Sequence, residues 1–315
     1  MFLPVLVVVL ALVAVTAVVG AMLRPTSTAG PVSPSEAWIA AVQHAGRVSA
    51  TAWTGLVAAP LLVAVALVPA LTGRATGLAT GLLPVAGGAA FLTILAVGEL
   101  TWPRPTGAVR RAPLAPRGAR GLAPRGLVRL TAAWSLSLGA LLVLSGLAAD
   151  DDGRSLTWRL SEVATSGAGP FPGWYYGVPL GLAALVVLAG CSGVLRLIAR
   201  RPAVSDTAAC DDTALRQLSA RRLLGGVQLV VAWTLAGCLF FAADCLRRTQ
   251  GGEFDGVTLG SPVLVAIGIL GMCAAPVVMV VSAVVASRST RTPRRGDVDQ
   301  RPDAYRQPAA QPQAS

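Results

Sequence analysis

The sequence predicts an all-α integral membrane protein, a polytopic helical bundle of about seven transmembrane helices. Three observations carry that prediction. Hydrophobic residues make up 54% of the 315 and charged residues only 13%, with a mean hydropathy of +0.65, whereas soluble domains carry about 25% charged residues. Apolar runs of about 20 residues recur along the chain, and at about 1.5 Å per residue each spans a hydrocarbon core of about 30 Å. Between two of these runs lies the stretch 102–129, with Arg104, Arg110, Arg111, Arg117, Arg120, Arg125 and Arg129 and no acid. A short loop this basic stays on the cytoplasmic side and fixes the direction of the helices around it.

Residues 2–23 form the first apolar run. It has no basic n-region, is longer than the usual signal-peptide core of about 7–15 residues and ends in no clear small-x-small site, so it reads as a retained span. A linker follows, with Ser33, Pro34 and Glu36 placed as N-cap, first-turn proline and capping-box partner of a helix. Trp38, Ile39, Val42 and Ala45 share one face of that helix, which predicts an amphipathic segment lying at the interface and leading into a second span. Spans two and three, 49–71 and 79–100, are separated by too few residues for anything but a hairpin, and span four covers 127–148.

A polar segment, 150–176, holds Asp150, Asp151, Asp152, Trp158, Trp174, Tyr175 and Tyr176; the acidic run reads as a solvated loop that repels anionic lipid. Span five covers 177–199. In the basic segment 200–222, Asp211 is placed to cap a short helix and Asp212 to pair with Arg216 at i, i+4. Spans six and seven, 223–243 and 262–286, complete a transmembrane domain over 1–286. The remainder, 287–315, is polar and proline-rich, a disordered basic cytoplasmic tail. Alternation from the basic loop puts 200–222 and the tail inside, and 150–176 and the N-terminus outside. Arg74, Arg154, Arg159, Arg247 and Arg248 dissent. Ala52-Trp53-Thr54, Ala133-Trp134-Ser135 and Ala232-Trp233-Thr234 each stand early in the first limb of a hairpin. They suggest one leading helix plus three in-out-in hairpins, although tryptophan near an interface is also ordinary aromatic-belt chemistry.

Absent residues limit the chemistry. There is no lysine, hence no phosphate-loop lysine and no Schiff base. There is no asparagine either, and the surplus of Ala, Gly, Val, Leu and Pro reads as the codon bias of a GC-rich bacterial genome. The net charge of +11 would point to nucleic acid in a soluble protein; with arginine confined between spans and in the tail, anionic lipid headgroups are the expected partner instead. Five cysteines without C-x-x-C spacing imply no disulfide framework. Gly190-Cys191-Ser192-Gly193 resembles the G-x-S-G serine motif of rhomboid intramembrane proteases, but those need a histidine from a later span, and the single histidine, His44, comes earlier. Met272 and Cys273 are soft metal ligands about 100° apart on one helix, so they do not share an ion. Aligning the acidic run with a calcium loop puts Ala148 and Arg159 at ligand positions, and the motif fails.

No span carries an ionisable residue at its centre, whereas coupled transporters usually do. Glu99 stands at the inner end of span three, in reach of Arg104, and Gln228 is the one amide inside a span. No catalytic, cofactor or metal residues are expected. The expectation is a multi-pass protein of the cell membrane that is a non-enzymatic accessory, scaffold or regulatory component; the alternative is a permease for an apolar or amphipathic solute. Arg104, Arg110, Arg111, Arg117, Arg120 and Arg125 are candidate headgroup contacts, and Trp174, Tyr175, Arg221 and Arg222 candidate contacts to a membrane-protein partner, because aromatics and arginine anchor interfaces most often.

Overall fold

The computed structural model describes residues 35–67, 74–102, 122–162, 164–204, 209–250, 253–254, 257–258 and 260–290. The expected first span, Ser33 and Pro34, residues Arg104, Arg110, Arg111, Arg117 and Arg120, and residues 291–315 of the tail lie outside them. The protein is an all-α polytopic membrane bundle. Its described helices are α1 (Glu36–Leu67), α2 (Arg74–Gly81), α3 (Leu83–Leu100), α4 (Arg125–Ala148), α5 (Trp174–Arg200), α6 (Ala209–Thr249) and α7 (Pro262–Ser289). All but the short α2 are long and apolar enough to cross a membrane. Two antiparallel strand pairs lie in the connections, β1 (Leu156–Arg159) with β2 (Thr165–Ala168), and β3 (Glu253–Phe254) with β4 (Val257–Thr258).

α1 corrects two expectations. Its cap is Ser35, whose Oγ accepts the Trp38 N–H at 3.2 Å, two residues beyond the expected Ser33. The amphipathic segment is also not a separate interfacial helix, because it runs unbroken into the span. Trp38, Ala41 and Ala45 are buried against Trp102 and Leu215, so the apolar face meets protein, and Ile39 at 44% exposure is not part of it. The connection expected as no more than a tight hairpin before the third span holds the short helix α2, which meets α3 at Leu82. Pro84, near the start of α3, has no N–H to give to the preceding turn, and this divides α2 from α3.

The bundle is built around α6. Segment 200–222 and span six were expected as separate pieces; instead one helix of 41 residues, about 60 Å long, joins residues 209–222 of that segment to the span. Of its most apolar stretch 56% is buried, against 17–28% for the other spans. α7 lies along it, and α1, α3, α4 and α5 also pack on it. The main core joins Trp53, Phe91, Val187, Ile198, Leu223 and Val227. A second cluster, around Leu138, Leu142, Leu180 and Leu235, ties α4 and α5 to α6.

The described spans form three successive hairpins, α1/α3, α4/α5 and α6/α7. The three tryptophans of the recurring tripeptide turn inward: Trp53 is buried 5.1 Å from the Phe91 ring centroid, and Trp134 and Trp233 are half-buried against the cores. Their buried indole nitrogens have no acceptor among the described residues. Belt tryptophans would face lipid.

Candidate functional site

The beginnings of α1, α4 and α6 and the ends of α3, α5 and α7 lie together. This Arg-rich end holds the principal cluster of buried charges. α5 stops at Arg200 because Pro202 cannot continue it and draws Arg201 into extended backbone. The last carbonyls of a helix have no partner within it; here Arg216 of α6 supplies one. Its guanidinium donates to the Ala199 carbonyl at 2.8 Å, the Arg201 carbonyl at 3.0 Å and the Ile198 carbonyl at 3.3 Å. Its Nε donates to Asp212 at 2.7 Å. The expected i, i+4 pair is therefore present, but buried, and it serves as the C-terminal cap of another helix.

Arg201, 3% exposed, reaches Glu99 of α3 at 3.7 Å and lies 4.0 Å over the Trp102 ring. Glu99 thus pairs with Arg201; Arg104, its expected partner, lies outside the described residues. His44 of α1 meets Trp102 edge-on at 5.5 Å, and its Nε2 lies 2.9 Å from the Gly98 carbonyl; since a carbonyl only accepts, Nε2 carries the proton. His44, Ser49, Glu99, Trp102, Ser219 and Arg222 surround a cavity of about 20 Å³. Arg222, expected to meet a partner, is 7% exposed and faces this interior. Arg221 lies beside a separate cleft formed with Gln217 and the start of α4, where Arg125 is exposed.

At the opposite end, the acidic run organises the loop. Asp150 accepts the Thr157 hydroxyl at 2.7 Å and its N–H at 3.2 Å; Asp152 accepts the N–H groups of Arg154 and Ser155 at 2.9 and 3.0 Å, and Arg154 Nε at 3.0 Å. These bonds start the β1–β2 hairpin, so the run is structural and not merely solvated. Gly153, at φ +65°, turns the chain so that its carbonyl accepts the Tyr175 N–H at 3.0 Å. Leu156 and Phe171 then seat the hairpin on Cys245 of α6. Trp174 and Tyr175, expected in the loop, are the first turn of α5. They are 45% and 42% exposed, and Trp158 of β1 is 40% exposed. The Trp174 ring also covers Gly146, where a Cβ would stand 2.6 Å from it.

Three of the dissenting arginines are paired here: Arg154 with Asp152 at 3.0 Å, and Arg247 and Arg248 with Asp244 at 3.0 and 2.8 Å. The Arg154 N–H, followed by the Ser155 hydroxyl, holds the Asp152 carboxyl well below the usual carboxylate range. A depressed folded value means that the unfolded chain takes up protons first as the pH falls. The contribution of Asp152 to the loop is thus complete at neutral pH and is lost as pH drops from the ordinary carboxylate value through the folded one. Asp152→Asn is expected to remove this acid sensitivity, read as protease cleavage within 160–164 against pH; a wild-type loop equally resistant throughout the acid range contradicts it.

Ser192 donates to the Leu188 carbonyl at 3.0 Å within its own helix, and His44 addresses Gly98, so the two do not meet. Met272 is buried while Cys273 is exposed, and no disulfide joins the cysteines. Among the described residues, no three metal-ligating side chains cluster. The sequence pointed to Asp212–Arg216, but not to the capping role of Arg216 or to Arg201; the signal for both was Arg200-Arg201-Pro202, a helix stop with carbonyls in need of a donor. No protein-family model, curated protein or solved structure matches the chain.

Proposed function

We propose that this is a non-enzymatic component of the cell membrane of a bacterium that acts by contact, as a scaffold or regulatory subunit beside another membrane protein. One observation carries the proposal: Trp158, Trp174 and Tyr175 are 40–45% exposed on a built platform, the β1–β2 hairpin and the first turn of α5. Exposed aromatics on a rigid base lose little conformational freedom on docking. The spans support the same reading, being locked by close approaches such as Gly87 of α3 on the Leu56 carbonyl of α1 and Gly226 of α6 on the Phe91 ring. The buried Gln228 directs its amide to the Ser282 carbonyl of α7 at 2.8 Å.

In this proposal the Arg-rich end faces the cytoplasm and anionic headgroups, the aromatic platform faces outward, and the C-terminus is inside. Trp174 is partly structural through Gly146, so Trp158 and Tyr175 are the cleaner probes. Changing both to Ser should leave insertion and thermal stability nearly unchanged and remove a membrane protein that co-purifies with wild type in mild detergent. Retention of that protein by the double variant contradicts the platform, and an external signal from a reporter fused after Ala286 reverses the orientation. Solute flux in vesicles holding only this protein would favour a permease.

A further inference from the structure

Among the described residues, the buried charges of the Arg-rich end do not balance. Arg201, Arg216 and Arg222, at 3%, 7% and 7% exposure, face two acids. Asp212 is taken by Arg216 at 2.7 Å and Glu99 by Arg201 at 3.7 Å. Arg222 has no ion pair among the described residues, and its buried Nε has no acceptor. Arg201 contributes two more buried donors in the same condition, Nε and Nη2. A guanidinium held out of water without a counter-charge is costly, and within a bundle such a group marks a site.

Arg222 lines the cavity described above, whose volume of about 20 Å³ admits one oxygen-sized atom. Glu99, on the same lining, is offset by Arg201, so the cluster as a whole presents one positive charge in excess. Its level in the bundle is where α3 and α5 end, at Leu100 and Arg200. The chemistry that fits is an oxyanion that inserts one oxygen and leaves the rest of the group at the mouth. At the ends of membrane spans, the abundant oxyanion is the phospholipid phosphate, and guanidinium donors match phosphate geometry. We propose that this cavity binds the phosphate of an anionic phospholipid in the leaflet at the Arg-rich end, with Arg222 as its principal ligand. Such a site is distinct from diffuse attraction to surface arginines: it depends on one buried side chain, and it places a lipid where α1, α3, α5 and α6 meet. The inference does not depend on the contact function proposed above.

Thermal unfolding of the delipidated full-length protein in neutral detergent tests it, with wild type compared with Arg222→Met and with Arg125→Gln, which removes an exposed arginine. Phosphatidylglycerol, phosphatidylcholine and inorganic phosphate are added in separate series. Phosphatidylglycerol is expected to raise the wild-type Tm by about 5 °C or more at a concentration on the order of a hundred times Kd. Arg125→Gln should respond like wild type. Arg222→Met should melt above wild type without lipid, because it removes an uncompensated charge, and should not respond. An equal shift with phosphatidylcholine, or an equal shift in Arg222→Met, overturns the site. An equal shift with inorganic phosphate overturns the lipid as its source. Should Arg222→Met fail to fold, counting retained phosphatidylglycerol on wild type and Arg222→Gln by native mass spectrometry decides the same question: equal retention rejects the proposal.

Discussion

Arg216→Met is expected to destabilise the folded bundle by about 3–5 kcal/mol, the range for removing one partner of a buried ion pair. Two losses coincide in this variant. Asp212, 8% exposed, is left with an uncompensated charge, and the carbonyls of Ile198, Ala199 and Arg201 lose their donor at the end of α5. Methionine preserves much of the side-chain volume, so the loss reports charge and hydrogen bonding rather than a cavity. Denaturant unfolding in mixed micelles, followed by tryptophan fluorescence, measures it. The double variant Asp212→Leu/Arg216→Met separates the two contributions: it should recover the part due to the stranded carboxylate and keep the part due to the carbonyls. A cost for Arg216→Met below about 1 kcal/mol, the range of exposed pairs, would show that the pair is solvated and the cap dispensable.

Gly268→Ala is the second large effect, and its sign is opposite to that of similar changes elsewhere. A Cβ at Gly268 of α7 would stand 2.8 Å from the Ala243 carbonyl oxygen and 3.1 Å from the Arg247 backbone nitrogen of α6. Both are main-chain atoms of α6, close to its C-terminal end, so relief requires the two helices to separate. Overpacking of this kind costs about 1–3 kcal/mol. Gly139 of α4 and Gly237 of α6 meet nothing within 4 Å. Alanine there is expected to be neutral or to stabilise by up to about 1 kcal/mol, from helix propensity alone. Thermal unfolding of the three single variants in one detergent gives the comparison. Equal behaviour at all three positions would mean that α6 and α7 are not in close contact.

What the sequence made legible were features that depend on composition and on neighbours along the chain. The ends of α4 and α7 fall within three residues of the expected spans, because Arg125, Ser261-Pro262 and Asp150 mark them locally. Asp212 and Arg216 were legible for the same reason. The continuity of α6 was not: polarity falls between Arg222 and Leu223, which reads as a boundary in hydropathy, yet no proline or turn residue interrupts the backbone there. The β1–β2 hairpin was also hidden. Its four-residue strands gain order from carboxylates that reach forward from Asp150 and Asp152, and side-chain bonds to nearby amides leave no periodic trace. The pairing of Arg201 with Glu99 was not legible because it is a matter of tertiary approach, Arg201 coming from two spans later.

The place of α6 in the chain also sets an order of events during synthesis. A ribosome adding about 5–20 residues per second needs roughly 10–40 s to proceed from the end of α1 to the end of α6. From the time each is made until α6 arrives, the faces of Trp53, Phe91 and Val187 that will meet α6 are offered to lipid alone, and Glu99 is in the bilayer before Arg201 has been made. The early hairpin has its own means of waiting: Gly87 closes on Leu56, Gly98 on Val48, and Trp53 on Phe91, all between α1 and α3. The α1/α3 hairpin is thus held by contacts of its own before the helix at the centre of the finished molecule arrives.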